Sequence, residues 1–275
     1  MLTLEAARRA VGLPIVIIAT IFLLYAYLGP YFPEFLAHRG YSLNRIASHM
    51  YFTTEGILGI PLGVSATFIF LFILFGAFNE KTGLGQLFID FSNAIAGWAS
   101  GGHAKVAVVT SALEGTVSGS SVANTVESGA FTIPMMKRLG YRPEFAAAVE
   151  AAASTGGQIM PPVMGAAAFI IAEFLNMPYI EIAKAAAVPA CLYFLGIFIE
   201  VHFEAKRLNL RGLNRAELPK LSTVMVERGH LFLPLGAIIG FLLAGFTPLY
   251  SAFCAHWAFV LCSCFGLNKI DENEL

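Results

Sequence analysis

Residues 56–78, GILGIPLGVSATFIFLFILFGAF, run without a single charged side chain. About 20 mostly apolar residues suffice to cross the roughly 30 Å hydrocarbon core of a bilayer. In lipid the backbone has no water to bond, so such a run must satisfy its own N–H and C=O groups as a helix. Comparable runs occupy 13–36, 180–203, 231–247 and 249–266. Only 13% of the residues are charged, against roughly 25% in soluble domains. A soluble protein could not cover its surface with so few charges. The chain therefore reads as an all-α polytopic membrane protein. Arg8 and Arg9 precede the apolar run Val11 to Leu28 as in a signal peptide, but the run is too long and no small-residue cleavage pattern follows. It is predicted to be the first span. The net charge of −1 points to no nucleic-acid partner. Cys191, Cys254, Cys262 and Cys264 lie in apolar runs without metal-knuckle spacing and are expected to be buried fillers.

Three segments break the simple pattern. Residues 84–100, LGQLFIDFSNAIAGWAS, alternate apolar and polar positions at helical spacing and suit a helix lying in the interface; a short tilted span is the alternative. Residues 104–136 hold two apolar arms of about a dozen residues, each too short to cross, around the polar tip Gly115 to Asn124. Basic residues flank both ends: His103 and Lys105, then Lys137, Arg138 and Arg142. A re-entrant hairpin places both flanks on one side. Residues 144–175 are long enough to span, but STGGQIMPP interrupts them. Gly156 and Gly157 weaken a helix, and Pro161 and Pro162 remove two N–H donors. A discontinuous helix is expected, with free carbonyls near mid-bilayer. The predicted organisation is a first span and approach over 1–55, a transport repeat over 56–228, and C-terminal spans with a polar tail over 229–275.

Charge bias orients this scheme. With Arg8 and Arg9 inside, both hairpin flanks fall on the cytoplasmic side, as does the loop holding Lys206, Arg207, Arg211, Arg215, Lys220 and Arg228. Arg39 and Arg45 fall outside and are exceptions.

Hydroxyls, an amide and bare carbonyls at mid-depth are costly without partners. They are also the hard oxygen ligands of a small alkali cation. A hairpin tip further offers carbonyls from the end of one helix and N–H groups from the start of the next. Discontinuous helices with such ends near the midplane mark secondary transporters. Isolated glycines such as Gly115, Gly119 and Gly129 have a simpler use, letting helices approach closely. Four acids sit at or near membrane depth: Glu114, Glu127, Glu150 and Glu173. The first three are open to a proton-relay or a hydrogen-bonded structural role, the structural role being favoured; Glu173 is expected at the interface.

The stretches GILGIPLGVSATFIFLFILFGAF, AKVAVVTSALEGTVSGSSVAN and GAFTIPMMKRLGYRPEFAAAVEAAASTGGQIMPPVMGAAAFI resemble the large membrane subunit of tripartite ATP-independent periplasmic (TRAP) transporters. Within that family they look most like the fused-permease branch that works with TAXI-type solute-binding proteins. The similarity covers residues 50 to 220 or so. It implies half of a sodium-coupled, elevator-type importer of the bacterial inner membrane, with a re-entrant hairpin and a discontinuous helix, and with no cofactor beyond the coupling ion. The implied partners are a periplasmic TAXI-type binding protein that delivers a carboxylate-containing solute and a small membrane subunit or domain. By the same resemblance, Ser118, Ser120 and Asn124 side chains and the Gly156, Ile159 and Pro161 carbonyls would bind sodium. Gly119, Ser121, Ser154, Thr155, Gly157 and Pro162 would line the substrate pocket.

Two departures accompany the likeness. Positions 114 and 127 are uncharged in the family pattern, whereas both are Glu here. The family also builds transport from two inverted repeats, and this chain holds one, so a second chain is expected to supply the other half unless the product is truncated or split. Two rival functions compete with this reading. An intramembrane serine protease would need a histidine near SGSS, and only His256 lies deep. A structural or assembly subunit without transport of its own fits a half-length chain.

Overall fold

The computed structural model describes residues 2–210, 212 and 218–264. Arg211 and Arg215 of the basic loop lie outside the described residues, as do the side chains of Cys262 and Cys264. Helix accounts for 78% of the structure, and the described residues form no strand, so the fold is all-α. Two compact units are present, Met1–Gly63 and Val64–Leu275.

In the first unit, α1 (Leu2–Ala10) pairs Glu5 with Arg8 at 2.7 Å and with Arg9 at 2.9 Å. Gly12, with φ of 102°, turns the chain into α2 (Leu13–Leu28). Pro14 sits in the first turn of α2, where its missing N–H costs nothing. The apolar run was expected to stay helical to residue 36, but it ends in a 3₁₀ turn at Gly29–Tyr31. Pro30 and Pro33 supply no N–H to prolong it. His38 folds back on that end, its Nε2 3.0 Å from the Tyr25 carbonyl and its ring 4.7 Å from the Tyr25 ring. After it, α3 (Leu43–Phe52) is capped by Ser42, whose hydroxyl accepts from the Arg45 N–H at 3.3 Å.

The second span comprises α4 (Ile60–Val64), one wide π turn (Ser65–Ile69) and α5 (Phe70–Lys81). Next, α6 (Leu84–Ala96) buries one face, including Leu87, Phe88 and Ser92. Its 13 residues reach about 20 Å, short of a crossing. Its Asp90 bonds Gln86 at 2.9 Å and pairs with Arg228 at 3.5 Å. Five helices follow: α7 (Gly102–Ser118), α8 (Ser121–Glu127), α9 (Gly129–Arg138), α10 (Pro143–Gly156) and α11 (Ala166–Leu175). Then α12 (Tyr179–Arg207) runs for 29 residues. The end of the basic loop, expected to be irregular, is helical: α13 (Leu221–Arg228) continues through a 3₁₀ turn (Gly229–Phe232) into α14 (Leu233–Leu243). Finally α15 (Pro248–Cys264) returns against α14 and α5. Four helical stretches are long and apolar enough to cross a membrane: Leu13–Tyr31, Ile60–Phe78, Tyr179–Arg207 and Leu221–Leu243.

At the centre of the second unit α7 packs against α5, α6, α9, α10 and α12. Its buried Ala104, Ala107 and Val108 meet Met136, Ala146, Val149, Ala153, Val201 and Ala205. Small side chains on every side bring these backbones close enough for dispersion and local polar contacts to hold them without a hydrophobic drive from lipid. Outward faces are apolar instead: Val188, Leu192 and Leu195 of α12 are exposed. Cys191, expected to be a buried filler, lies on that exposed face, and Cys254 is half-buried; both are free thiols.

Candidate functional site

The hairpin forms, with a longer first arm than expected. α7 is 17 residues long and ends at Gly119, whose φ of 59° puts it in the left-handed region that glycine tolerates. Ser120 then caps α8, its hydroxyl accepting from the Ala123 N–H at 3.3 Å. The Ser118 hydroxyl accepts from the Ser120 N–H at 3.2 Å and donates to the Asn124 side-chain oxygen. Two N–H groups of the tip are thus already satisfied by its own serines. The second arm is two helices rather than one, offset at Ser128 between α8 and α9.

The expected helix break is present. α10 ends at Gly156, a 3₁₀ turn covers Gly157–Ile159, and the Pro161–Pro162 bond is cis. The Gly165 N–H donates to Gln158 O at 2.7 Å, closing the loop before α11. Tyr179 was not singled out from the sequence. Its hydroxyl points at the carbonyls of Pro162 (2.9 Å) and Val163 (2.5 Å). The carbonyls of Ile159 and Pro161 have no hydrogen-bond donor among the described residues.

Hairpin and break interlock through glycine. A Cβ on Gly115 would collide with the Gly157 Cα, and a Cβ on Gly119 would collide with the Met164 carbonyl. A Cβ on Gly157 would lie 2.5 Å from the Asn124 side-chain nitrogen. Across the same junction, the Gln158 amide donates to the Ser121 hydroxyl at 3.0 Å. The structure therefore brings Ser118, Gly119, Ser121 and Asn124 together with Gly157. Ser120 and Ile159 are exposed, and Pro161 and Pro162 are half-buried. Gly156 is buried, and a Cβ there would meet Tyr193 and Phe194 at 2.7 Å. Two expected pocket residues turn elsewhere: the Thr155 hydroxyl bonds its own helix at Ala151 O (2.7 Å), and the Ser154 hydroxyl donates to Glu150 at 3.2 Å.

Glu150 proves to be the centre of a second polar cluster. Its residue is wholly buried. Ser128 (2.7 Å), Ser154 (3.2 Å) and Ser111 (3.4 Å) donate to one carboxylate oxygen, and Thr132 (2.5 Å) donates to the other. Ser128 and Thr132 are four apart, as are Glu150 and Ser154, so each pair shares a helix face; that was the available sequence signal. Glu114 is also buried, yet neither of its oxygens has a hydrogen-bond partner. Glu127 lies against α6, where a Cβ on Gly85 would strike its carboxylate. Glu173 is exposed, as expected of an interfacial acid. Lys105, named as a basic flank of the hairpin, is buried: its Nζ lies 2.9 Å from His202 Nδ1 and 5.0 Å from the Phe198 ring centre.

Among the described residues no group of three His, Cys, Asp or Glu could hold a metal ion. His256 bonds its own helix at Ala252 O (2.7 Å) and packs on Phe75 and Phe78. Among the described residues no hydrogen bond joins a tip serine to a histidine. An apolar cleft lined by Leu23, Tyr27, Ile46 and Met50 belongs wholly to the first unit and contains no residue of the hairpin or the break.

Comparison with known proteins bears on this arrangement. The family model for the tripartite ATP-independent periplasmic transporter, DctM component, matches residues 1–272. The C4-dicarboxylate TRAP transporter large permease protein DctM of Pseudomonas aeruginosa is 29% identical over 229 residues, covering 79% of this chain and 51% of that protein. Its namesake in Vibrio cholerae is 31% identical over 64% of this chain and 37% of its own length. The 2,3-diketo-L-gulonate TRAP transporter large permease protein YiaN of Escherichia coli is 28% identical over 64% of this chain and 41% of that protein. The chain spans about half the length of the curated relatives it matches. They are transporter permeases of the bacterial inner membrane, not enzymes.

Proposed function

Because the chain belongs to the TRAP transporter family, as a DctM component, we propose that it is the permease part of a sodium-coupled secondary importer. Its cargo is a carboxylate-containing solute, in keeping with the dicarboxylate named for its relatives. A periplasmic binding protein, of the TAXI type, hands the solute over. A small membrane subunit and a second permease half complete the machine. The observation that carries this reading is the glycine contact of Gly115 with Gly157, which seats a polar hairpin tip on a helix break. Such paired discontinuities near the midplane are how secondary transporters bind ions and substrates.

The donor set suits sodium. Ser118, Ser120 and Asn124 offer hydroxyl and amide oxygens, and Gly156, Ile159 and Pro161 offer carbonyls, all hard ligands. The Ser118 hydroxyl and the Asn124 oxygen now bond each other; a hydroxyl keeps lone pairs and rotates to suit an ion. Gly119, Ser121, Gly157 and Pro162 form the adjoining wall of the substrate pocket, while the hydroxyls of Ser154 and Thr155 are turned away from it. Transport follows an elevator movement of hairpin and break against a static scaffold.

The competing reading is an assembly subunit without transport of its own, favoured by the tip hydroxyls being already engaged with Asn124 and with the tip's own N–H groups. Uptake into proteoliposomes decides. The chain is reconstituted with its binding protein and a second permease half, with and without a sodium gradient. Sodium-driven uptake that needs this chain supports the importer. Uptake that proceeds with the tip residues Ser118 and Asn124 replaced, but fails without the chain, supports the assembly role.

A further inference from the structure

We propose that Glu114 is a proton-binding site on the first arm of the hairpin, held as the neutral acid beside an ionised Glu150. The claim rests on the burial and hydrogen bonding of the two acids, not on sodium coupling.

The two acids differ in what surrounds them. Four hydroxyls from three segments, 111, 128–132 and 154, surround Glu150, although Ser128 and Thr132 each share their one hydrogen with a main-chain carbonyl. Hydroxyl donors stabilise the anion of the acid they face. Glu114 is 2% exposed, and both its oxygens are without a hydrogen-bond partner. The Ser128 hydroxyl lies alongside it, but its bonds run to Asn124 O at 2.8 Å and to Glu150 at 2.7 Å. An isolated buried carboxylate costs far more than its neutral form, so such a group takes a proton instead. Two carboxyls in unlike surroundings divide their protons unequally, one ionised and one neutral.

The charged neighbours strengthen this division. Glu127 on α8 and Glu150 on α10 act on Glu114, and both are acids. Among the described residues the other packed elements offer no compensating cation. On α6, Asp90 is turned to Gln86 and Arg228. On α12, His202 is engaged with Lys105 near the start of α7, Arg207 pairs with Glu204 and Lys184 with Glu181, and Lys206 is exposed. On α9, Lys137 and Arg138 are exposed, as is Lys81 at the end of α5. A proton is therefore the cation this position takes.

Infrared spectroscopy of the purified full chain in lipid tests the site. At neutral pH the wild type is expected to show the C=O stretch of a protonated carboxyl that shifts in D₂O. Glu114→Gln should lose that band entirely, and Glu150→Gln should keep it. Absence of the band, its loss only in Glu150→Gln, or failure to shift in D₂O overturns the proposal; the last outcome denotes a sealed structural acid. Loss of the band on adding sodium at constant pH also overturns it, in favour of a metal-cation site. A second measurement needs no variant: a hydrophobic carbodiimide reacts with protonated buried carboxyls, and mass spectrometry should find the adduct on Glu114. An adduct confined to other acids counts against the site.

Discussion

Gly115 and Gly157 meet backbone to backbone, so that a Cβ on Gly157 would lie 2.9 Å from the Gly115 Cα. Neither position has room for a methyl group, because the opposing atom is main chain and cannot rotate away. Gly115→Ala is expected to force hairpin and break apart at a cost of about 1–3 kcal/mol, typical of overpacking. The measurement is thermal unfolding in detergent, where Gly236→Ala serves as control, since nothing lies within 4 Å of its would-be Cβ. Equal melting temperatures for the two variants would remove the interlock from the account.

Asn124 is wholly buried at the tip, whereas Ser120 is exposed. Asn124→Ala is expected to weaken sodium-dependent thermal stabilisation about tenfold in sodium concentration, or about 1.4 kcal/mol. Ser120→Ala is expected to weaken it less and to cost about 1 kcal/mol of baseline stability through the lost cap. Unchanged sodium titrations in both variants would end the ligand assignment.

The Tyr179 hydroxyl is what the carbonyls of Pro162 and Val163 rest on. Tyr179→Phe leaves them without that donor in a buried setting, an expected loss of about 1–3 kcal/mol. Limited proteolysis should then cut near the break sooner than in the wild type. An unaltered cleavage rate and melting temperature would mean the hydroxyl is dispensable.

The buried Lys105 of α7 pairs with the half-buried His202 of α12. His202→Leu leaves the Lys105 ammonium without that partner and is expected to lower the melting temperature, and the double variant with Lys105→Met should recover part of that loss. A double-mutant cycle measures the coupling; strictly additive effects would show that the pair contributes nothing.

Membrane topology tests the re-entrant course of the hairpin. With native cysteines replaced, Lys81→Cys and Arg138→Cys should react with an impermeant maleimide from one side of the membrane, and Met177→Cys from the other. Labelling of Lys81→Cys and Arg138→Cys from opposite sides would mean that the segment crosses rather than re-enters.

Much of this could be read along the chain because the relevant signals are local. Apolar length located the spans, and Gly156, Gly157, Pro161 and Pro162 located the break, since each alters its own backbone. What escaped depends on which helix faces meet. The four hydroxyls around Glu150 come from positions 111, 128, 132 and 154, and no single window contains them. Nor could a window show that Ser154 turns to Glu150 instead of the tip. Cys191 was misplaced for a related reason: in lipid an apolar residue gains nothing by facing inward, so hydropathy does not report burial. The end of α2 was legible in principle, since Pro30 and Pro33 stand where the helix stops, but the apolar run carried past them.

Ser128 has one hydroxyl hydrogen and two acceptors for it, the Asn124 carbonyl at 2.8 Å and Glu150 at 2.7 Å. One hydrogen cannot serve both acceptors at full strength, so the main chain of the hairpin tip and the buried acid of α10 are joined through a single shared O–H group.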